Sequence, residues 1–292
     1  MAAVIHLMLK ASILLTVFAL GLSTRPQDVA YIIRRPGLLL KSLLSINVVM
    51  PLFAASVVAV THLDPVVQIA LIALSVSPIP PMLPKKARKA AGDASYAIGL
   101  LVVVALLAIA FVPLSARLMG WAFGKHVEIS ATEVALILAA NVLAPMGAGL
   151  LVHYLARQFA ERIARPLSLL ASILLVACIP PILFTAMPAV LSLIGNGTLI
   201  AIVAFVLVGL AAGHLLGGSE PANRAVLALT TSSRHPGVAA AIASANFPQQ
   251  KLVLSAILLY LLVNVLISIC YAKLFGHRDA EATDTGVGAT GR

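Results

Sequence analysis

The sequence contains few charged residues, few aromatic residues and almost no cysteine. Only 10% of its 292 residues are charged, whereas a soluble domain carries about 25%. Apolar residues make up 61% of the chain, more than the core of a soluble domain of this length can bury. Because a bilayer replaces the polar surface with an apolar one, the composition predicts an all-α polytopic membrane protein.

Several kinds of functional site are absent from the sequence. Cys178 and Cys270 both lie inside apolar runs, so the sequence indicates neither a disulfide framework nor a zinc site. An HExxH pair and a GxSxG elbow are also missing, which disfavours an intramembrane enzyme. The formal charge of +10 arises from basic residues between apolar runs, where they set topology rather than bind nucleic acid. We expect neither enzymatic activity nor a cofactor, a metal or a nucleic-acid partner.

Long apolar runs follow one another along the chain, and a transmembrane helix needs about 20 mostly apolar residues. The first run lacks a basic flank and a small-residue cleavage site, which predicts a retained span rather than a signal peptide. The polar tail, 277–292, is predicted to be disordered. The nine predicted spans are 4–24, 38–61, 65–91, 93–116, 130–153, 166–189, 194–217, 222–246 and 250–274.

Basic residues are distributed unevenly between the two sides of the predicted bilayer. With the N-terminus outside, the inside segments hold 15 of the 20 lysines and arginines, and the outside segments hold Arg117, Lys125 and Lys251. This asymmetry follows the positive-inside rule. It predicts a multi-pass protein of the cell (inner or plasma) membrane, with its N-terminus outside and its C-terminus cytoplasmic.

Two of the spans contain residues that a continuous helix does not accommodate. Four prolines lie within Ser77–Pro84 of span 65–91, and proline removes a donor and clashes with the preceding turn. In span 222–246, four hydroxyl residues, an arginine, a histidine and a Pro-Gly pair occupy Thr230–Gly237. We predict that both spans are discontinuous helices, since broken backbone at membrane depth occurs only where protein or a wet cavity surrounds it.

The two interrupted spans occupy corresponding places, because one further span follows each of them in its half of the chain. This spacing predicts a first repeat of four spans at 1–116, a connecting loop at 117–129 and a second repeat of five spans at 130–276. The halves would have opposite orientations. Inverted repeats with paired broken helices that cross near the midplane are typical of secondary transporters.

Short motifs at the interruptions point to a known family. Ser77–Pro84 reads SPIPPMLP and is followed by a Gly92-Asp93 pair, and Thr230–Ala239 reads TTSSRHPGVA. At these places the chain resembles the bile acid:sodium symporter family, whose first crossover reads Cys-Pro-Gly-Gly-Thr-Ala-Ser-Asn before a Gly-Asp pair. The second crossover of that family reads Glu-x-Gly-x-Gln-Asn-x-Gly-Leu-Ala. Met50-Pro51-Leu52 is a further match.

The resemblance covers about residues 12–275 and implies a particular arrangement of the spans. The family fold has ten spans, some members lack the first, and we expect this chain to be one of those. Spans one, five and six would form a panel domain. The other six would form a core domain in which the two broken helices cross.

The chain departs from the family where the resemblance implies sodium ligands. None of its ten acidic residues lies at mid-depth, and a cation there would meet Arg234. We therefore expect transport without the usual sodium sites. The positions of the family ligands are occupied here by Thr230, Arg234, His235, Leu83, Pro84, Ala97 and Leu101.

Arg234 and His235 are the most informative candidates. An arginine near the bilayer centre costs about 2.5–3.5 kcal/mol on insertion scales, so it needs a partner. Arg234 would either bind a carboxylate, sulfonate or phosphate with its planar fork or cap backbone carbonyls at the interruption. His235 would either carry a proton and couple transport to it, or donate a hydrogen bond to the substrate.

The remaining candidates also allow two interpretations. Thr230, Thr231, Ser232 and Ser233 would either bind substrate with their hydroxyls or satisfy backbone groups freed by the interruption. Lys85 shares a helical face with Arg88 and Lys89, which would either draw an anion into an inward-facing cavity or only set topology. Ser77 and Asn47 complete the predicted substrate site. Asn47 lies one position from a family sodium ligand.

We conclude from the sequence that the protein is a secondary transporter of a small organic anion that works by alternating access. A non-transporting membrane sensor or scaffold that keeps the transporter fold is the alternative. On span 194–217, Gly209, Gly213 and Gly217 are spaced by four and are predicted to pack against a neighbouring helix.

Overall fold

The computed structural model describes residues 2–124 and 127–276, and within these it consists of helices and their connections. The predicted disordered tail, 277–292, lies outside the described residues, as do Lys125 and His126 of the predicted connecting loop. Two π-helical turns, Ser45–Val49 and Ala139–Leu143, interrupt otherwise α-helical segments. The α-helices are α1 (Ala2–Leu22), α2 (Pro26–Ala30), α3 (Pro36–Leu44), α4 (Met50–Val60), α5 (Pro65–Val76), α6 (Leu83–Lys89), α7 (Ala94–Ala122), α8 (Ala131–Leu138), α9 (Ala144–Leu155), α10 (Arg157–Leu191), α11 (Thr198–Leu216), α12 (Pro221–Ser232), α13 (Pro236–Asn246) and α14 (Val253–Gly276).

The all-helical class of the protein is confirmed, with many helices long enough to cross a bilayer. Six in the described part of the chain qualify by length and composition, namely Pro36–Val60, Ala94–Ala122, Ala131–Leu155, Arg157–Leu191, Thr198–Leu216 and Val253–Phe275. The two interrupted spans are divided into helices of 12 and 7 residues and of 12 and 11 residues. Each piece is too short to cross alone, so the count of nine spans remains a prediction.

Two helices extend beyond the predicted spans. α7 continues to Ala122, so residues 117–122 of the predicted connecting loop are helical. It ends before Gly124, whose φ of +61° is a left-handed conformation that glycine adopts readily. α10 is 35 residues long and adds the basic segment before residue 166 to its span. Hydropathy marks the apolar part of a helix, whereas the helix itself ends where the backbone geometry changes.

Several acidic and hydroxyl residues at the ends of the predicted spans begin helices. The side chains of Asp64, Asp93 and Ser130 accept hydrogen bonds from backbone N–H groups of α5, α7 and α8 respectively. Such caps satisfy donors that have no partner inside the helix, and a carboxylate there also favours the positive end of the helix dipole. These residues therefore initiate helices at or next to the first residue of three predicted spans, 65–91, 93–116 and 130–153.

Both predicted interruptions are present, and the second is shorter than the sequence indicated. The first separates α5 from α6 at residues 77–82. The second leaves only Ser233, Arg234 and His235 between α12 and α13. Thr230–Ser232 belong to the last turn of α12, where the hydroxyls of Thr230 and Ser232 bond back to carbonyls of the preceding turn.

The two interruptions touch each other. The backbone N–H of His235 donates to the carbonyl oxygen of Pro78 at 2.8 Å. Residues far apart in sequence are therefore joined by a main-chain hydrogen bond at the point where both helices stop. The location of this contact relative to a bilayer remains a prediction.

Glycines allow the closest helix contacts. A Cβ atom added to Gly21 of α1 would lie 2.3 Å from the carbonyl oxygen of Met146 in α9. The three glycines that are spaced by four, two in α11 and one directly after it, pack against α12. A Cβ at Gly213 would lie 2.3 Å from the carbonyl oxygen of Leu227. The predicted packing role of Gly209, Gly213 and Gly217 is confirmed. Their contact with α12 fixes the helix that leads into the second interruption.

We predict that Gly213→Ala destabilises the protein, because the new methyl group meets backbone rather than a flexible side chain. Overpacking of this kind costs about 1–3 kcal/mol, and the variant should melt earlier in detergent. Gly147→Ala is the matched control, since nothing lies within 4 Å of a Cβ at that helical glycine. If Gly213→Ala and Gly147→Ala melted at the same temperature, the prediction would be wrong, because α11 and α12 could then move apart at little cost.

Candidate functional site

Arg234 joins three separate parts of the chain. It is 2% exposed. Its Nη1 donates to the carbonyl oxygen of Ser77 at 3.2 Å, and its Nη2 donates to that of Ile46 at 2.9 Å. The guanidinium therefore links the second interruption to the first and to the π-helical turn between α3 and α4. This geometry supports the carbonyl-capping interpretation of Arg234.

The π-helical turn explains why a carbonyl is available at Ile46. Pro51 follows the turn in α4 and has no N–H to donate into the preceding turn. A local π register often relieves such a mismatch and is common at functional sites. The same turn presents Ser45, whose Oγ shares a 2.8 Å hydrogen bond with Oγ1 of Thr231.

The four predicted hydroxyl residues divide into two pairs. Thr230 Oγ1 donates to the carbonyl of Val226 at 2.6 Å, and Ser232 Oγ donates to that of Leu229 at 3.2 Å. These two hydroxyls bond to carbonyls within their own helix. Thr231 and Ser233 instead contact other elements, Thr231 through Ser45 and Ser233 through residues of α6 and α14. Of the four hydroxyl residues, only this second pair connects the interruption to other elements by side-chain hydrogen bonds.

His235 begins α13. Its Nδ1 accepts a hydrogen bond from the backbone N–H of Val238 at 3.3 Å, and Pro236 occupies the first helical position. Because Nδ1 accepts, the proton of the neutral ring lies on Nε2. Nε2 is buried and has no hydrogen-bond partner among the described residues. The helix-capping contact supports a structural role for His235.

Lys86 is a functional candidate that the sequence analysis missed. Its Nζ donates to Ser233 Oγ at 2.9 Å and to Asn264 Oδ1 at 2.8 Å. Asn264 Nδ2 in turn donates to the carbonyl of Ser232 at 2.8 Å, and Tyr260 donates to the same carbonyl at 2.7 Å. α6 and α14 therefore hold the end of α12 from two sides.

We call this connected set of side chains and carbonyls the polar centre. Ser77 contributes its carbonyl, while its Oγ donates to the carbonyl of Leu74 at 2.8 Å. Asn47 is half-buried in the π-helical turn next to Ile46. The side chains of the polar centre belong to Ser45, Lys86, Thr231, Ser233, Arg234, His235, Tyr260 and Asn264.

A second polar region, the basic cavity, lies between α1, α6, α9 and α10. Its volume is about 720 Å³, and five lysines and arginines line it against one glutamate. Of the nine predicted site residues, only Lys85 belongs to it. The cavity is lined by Thr16, Ala19, Leu20, Leu22, Ser23, Arg25, Pro81, Lys85, Arg88, Lys89, His153, Glu161, Ala164, Arg165, Ser168, Leu169 and Ser172.

Lys85 and Lys86 are adjacent in sequence but contact different regions. The ammonium of Lys85 donates to Ser172 Oγ on α10, at the wall of the basic cavity. Its neighbour Lys86 donates into the polar centre. Consecutive side chains of α6 thus serve different sites, as expected for adjacent positions on a helix.

The model of the sodium bile acid symporter family matches residues 11–193, more than half of the chain. The chain belongs to the sodium bile acid symporter family. No curated protein matches it. The matched segment contains the first interruption, Lys86 and the whole lining of the basic cavity, whereas the second interruption and Asn264 lie beyond it.

Apolar residues near the first interruption can be compared with the ligand positions that the family resemblance implies. Leu83, Ala97 and Leu101 stand where the resemblance implies oxygen ligands, and all three are buried. Their side chains offer no oxygen to a cation. The nearby charged groups of the polar centre are themselves cations, namely Lys86 and Arg234.

Two signals in the sequence pointed to the missed residues. Asn264 is a polar side chain in the middle of an apolar span, where such groups usually have a partner. The helical face shared by Lys85, Arg88 and Lys89 leaves Lys86 on another face of α6. Together these positions indicate a contact. Only the fold shows that Lys86 and Asn264 meet each other.

We predict that Arg234→Met lowers stability more than Arg234→Lys does. Lysine keeps the charge but loses the planar fork that contacts two carbonyls, and methionine loses every hydrogen bond. Hydrogen bonds to charged groups contribute about 1.5–3 kcal/mol, so both variants should melt earlier. Arg117→Gln is the control, since the side chain of Arg117 is 70% exposed. Normal melting of Arg234→Met would contradict the capping role.

Proposed function

We propose that this family member is a secondary transporter of a small amphipathic organic anion, and that the anion binds in the basic cavity. The observation that supports this most directly is the excess of five lysines and arginines over one glutamate around a cavity of about 720 Å³. Ligand pockets for molecules of this kind have volumes of about 300–1,000 Å³. Membership of a transporter family agrees with the proposal.

The charge of the basic cavity is more positive than its lining suggests. Its only acidic side chain, Glu161, pairs with Arg157 at 2.8 Å, and Arg157 does not line the cavity. Among the described residues no salt bridge joins a carboxylate to the five cations of the lining, which are Arg25, Lys85, Arg88, Lys89 and Arg165, although Glu161 also interacts electrostatically with Arg25. Clefts lined by one sign of charge concentrate ligands of the opposite sign. An anion would enter such a cavity readily.

The residues that line the cavity also indicate the chemistry of the rest of the ligand, beyond its anionic group. Leu20, Leu22 and Leu169 form apolar parts of the lining, and hydroxyls of Thr16 and Ser168 lie among them. A ligand with an anionic head and an apolar body would satisfy both kinds of surface. Arginines recognise carboxylate, sulfonate and phosphate through a planar fork, so the head group belongs to one of these three types.

We further propose nine spans in two inverted repeats, with each interrupted pair, α5–α6 and α12–α13, counted as one span. Packing of α1 against α9 and α10 supports a panel made of spans one, five and six. The basic cavity lies at the end of the helices that the positive-inside rule assigns to the cytoplasm. In this arrangement the described conformation is inward-facing, and alternating access moves the panel relative to the core.

Coupling is proposed to be independent of sodium. The polar centre contains two cationic side chains, and the acidic residues Asp64 and Asp93 cap helices away from it. Proton coupling through His235 is a weaker proposal, because its Nδ1 is engaged in capping α13. Exchange of one anion for another requires no coupling ion and fits the cavity alone.

We predict that at least one of three anions, benzoate, benzenesulfonate or phenyl phosphate, raises the melting temperature of the protein. Neutral benzamide should not raise it. A ligand at 100 times its Kd stabilises the native state by about 2.7 kcal/mol. Lys85→Gln and Arg165→Gln should each weaken binding roughly tenfold, equivalent to about 1.4 kcal/mol. Lys273→Gln, an exposed lysine of α14 outside the cavity, is the matched control.

Flux separates transport from binding alone. Purified protein in liposomes should exchange labelled anion for internal anion, and Lys85→Gln should slow the exchange. Binding without flux would instead identify the sensor or scaffold function. Equal binding by the cavity variants and the control would contradict the proposed site.

A further inference from the structure

Two positive side chains occupy the ends of the two broken helices. Arg234 donates to the carbonyl of Ser77, the residue that follows the last turn of α5. Lys86 donates to Ser233 Oγ, at the residue that follows the last turn of α12. The C-terminal, negative end of α5 and that of α12 therefore each lie next to a positively charged side chain of the protein itself.

Physical chemistry makes such ends attractive to cations. A helix C-terminus carries about half a negative elementary charge, and its last carbonyls lack partners within the helix. In transporters with discontinuous helices, unwound carbonyls and the C-terminal ends of half-helices coordinate the coupling cation. A side-chain cation placed there meets the same electrostatic requirement without an ion from solution.

The oxygens around the Lys86 ammonium are held in place by further contacts. Asn264 Nδ2 donates to the carbonyl of Ser232 at 2.8 Å, which directs Oδ1 of the same amide to Lys86 at 2.8 Å. Ser233 Oγ lies 3.4 Å from that Oδ1 and accepts from Lys86 at 2.9 Å. The two acceptors come from different helical segments. Each of them also takes part in a hydrogen bond that does not involve the lysine, through Ser233 Oγ to Asn264 Oδ1 and through Asn264 Nδ2 to the carbonyl of Ser232.

We propose that the ammonium of Lys86 fills a monovalent-cation site, so that the protein carries a tethered cation where a free one would otherwise bind. The site is formed by Ser233 Oγ, Asn264 Oδ1 and the negative end of α12. Removing the lysine side chain would expose these oxygens to a small cation from solution. Ammonium and methylammonium reproduce the charge and the donors of the missing group.

The test measures melting of Lys86→Ala in detergent at constant ionic strength, without any organic ligand. In choline chloride the variant should melt well below the wild type, because two oxygens at a helix end lose their donor. Ammonium or methylammonium chloride should restore most of the lost melting temperature. Wild type should melt at the same temperature in sodium, potassium, ammonium and choline, since its site is already occupied.

Lys273→Ala is the matched control, because Lys273 is an exposed lysine of α14, the helix that carries Asn264, and it lies outside both the basic cavity and the polar centre. It should show no preference among the cations. A Lys86→Ala protein that melts equally in all of them would overturn the proposal, as would selective stabilisation of the wild type by sodium. If Lys86→Ala is recovered folded only with ammonium present, that recovery supports the proposal. If it folds in none of the salts, the proposal fails, since a small cation should replace the ammonium.

These measurements use no organic anion and keep chloride as the counter-ion in every salt, so they are independent of the proposed substrate. Loss of anion binding in cavity variants with no cation effect at Lys86 would uphold the proposed anion site and overturn the tethered cation. Unchanged anion binding in the cavity variants, together with a cation effect at Lys86, would uphold the tethered cation and overturn the proposed anion site.

Discussion

A guanidinium buried in an apolar protein needs acceptors, and in this chain the carbonyls of Ser77 and Ile46 provide them. This requirement constrains three segments at once. α5 must stop before Ser77, a π-helical turn must present Ile46, and α12 must end just before Arg234. Loss of either carbonyl would leave the buried guanidinium with one acceptor instead of two, which costs more than the loss of a hydrogen bond between neutral groups.

The rest of the polar centre is organised around that contact. Gly209, Gly213 and Gly217 bring α11 against α12, and this close approach fixes the helix from which Arg234 extends. Tyr260 and Asn264 hold the carbonyl of Ser232 from α14. A region of close backbone packing thus also holds the buried guanidinium of Arg234 and the half-buried ammonium of Lys86. The basic cavity lies apart from it, among helices whose lining side chains carry uncompensated positive charge.

The sequence was most informative where a residue acts on its own backbone. Prolines in Ser77–Pro84 located the first interruption, and glycines spaced by four identified a packing face. It was less informative where a contact spans the chain, as for Lys86 and Asn264, which are 178 positions apart. The π-helical turns were also missed, although a proline follows each of them closely, at Pro51 and Pro145. Hydropathy cannot detect a change of helical register because the composition stays the same.

The short helix α6 connects the two charged regions of the molecule. It is a single helical segment of seven residues. One side of α6 is bonded to α10 through Lys85, and the other side is bonded to the end of α12 and to α14 through Lys86. A rotation of α6 that releases Lys85 from Ser172 would displace the ammonium of Lys86 in the same motion, because a single peptide bond joins the two residues.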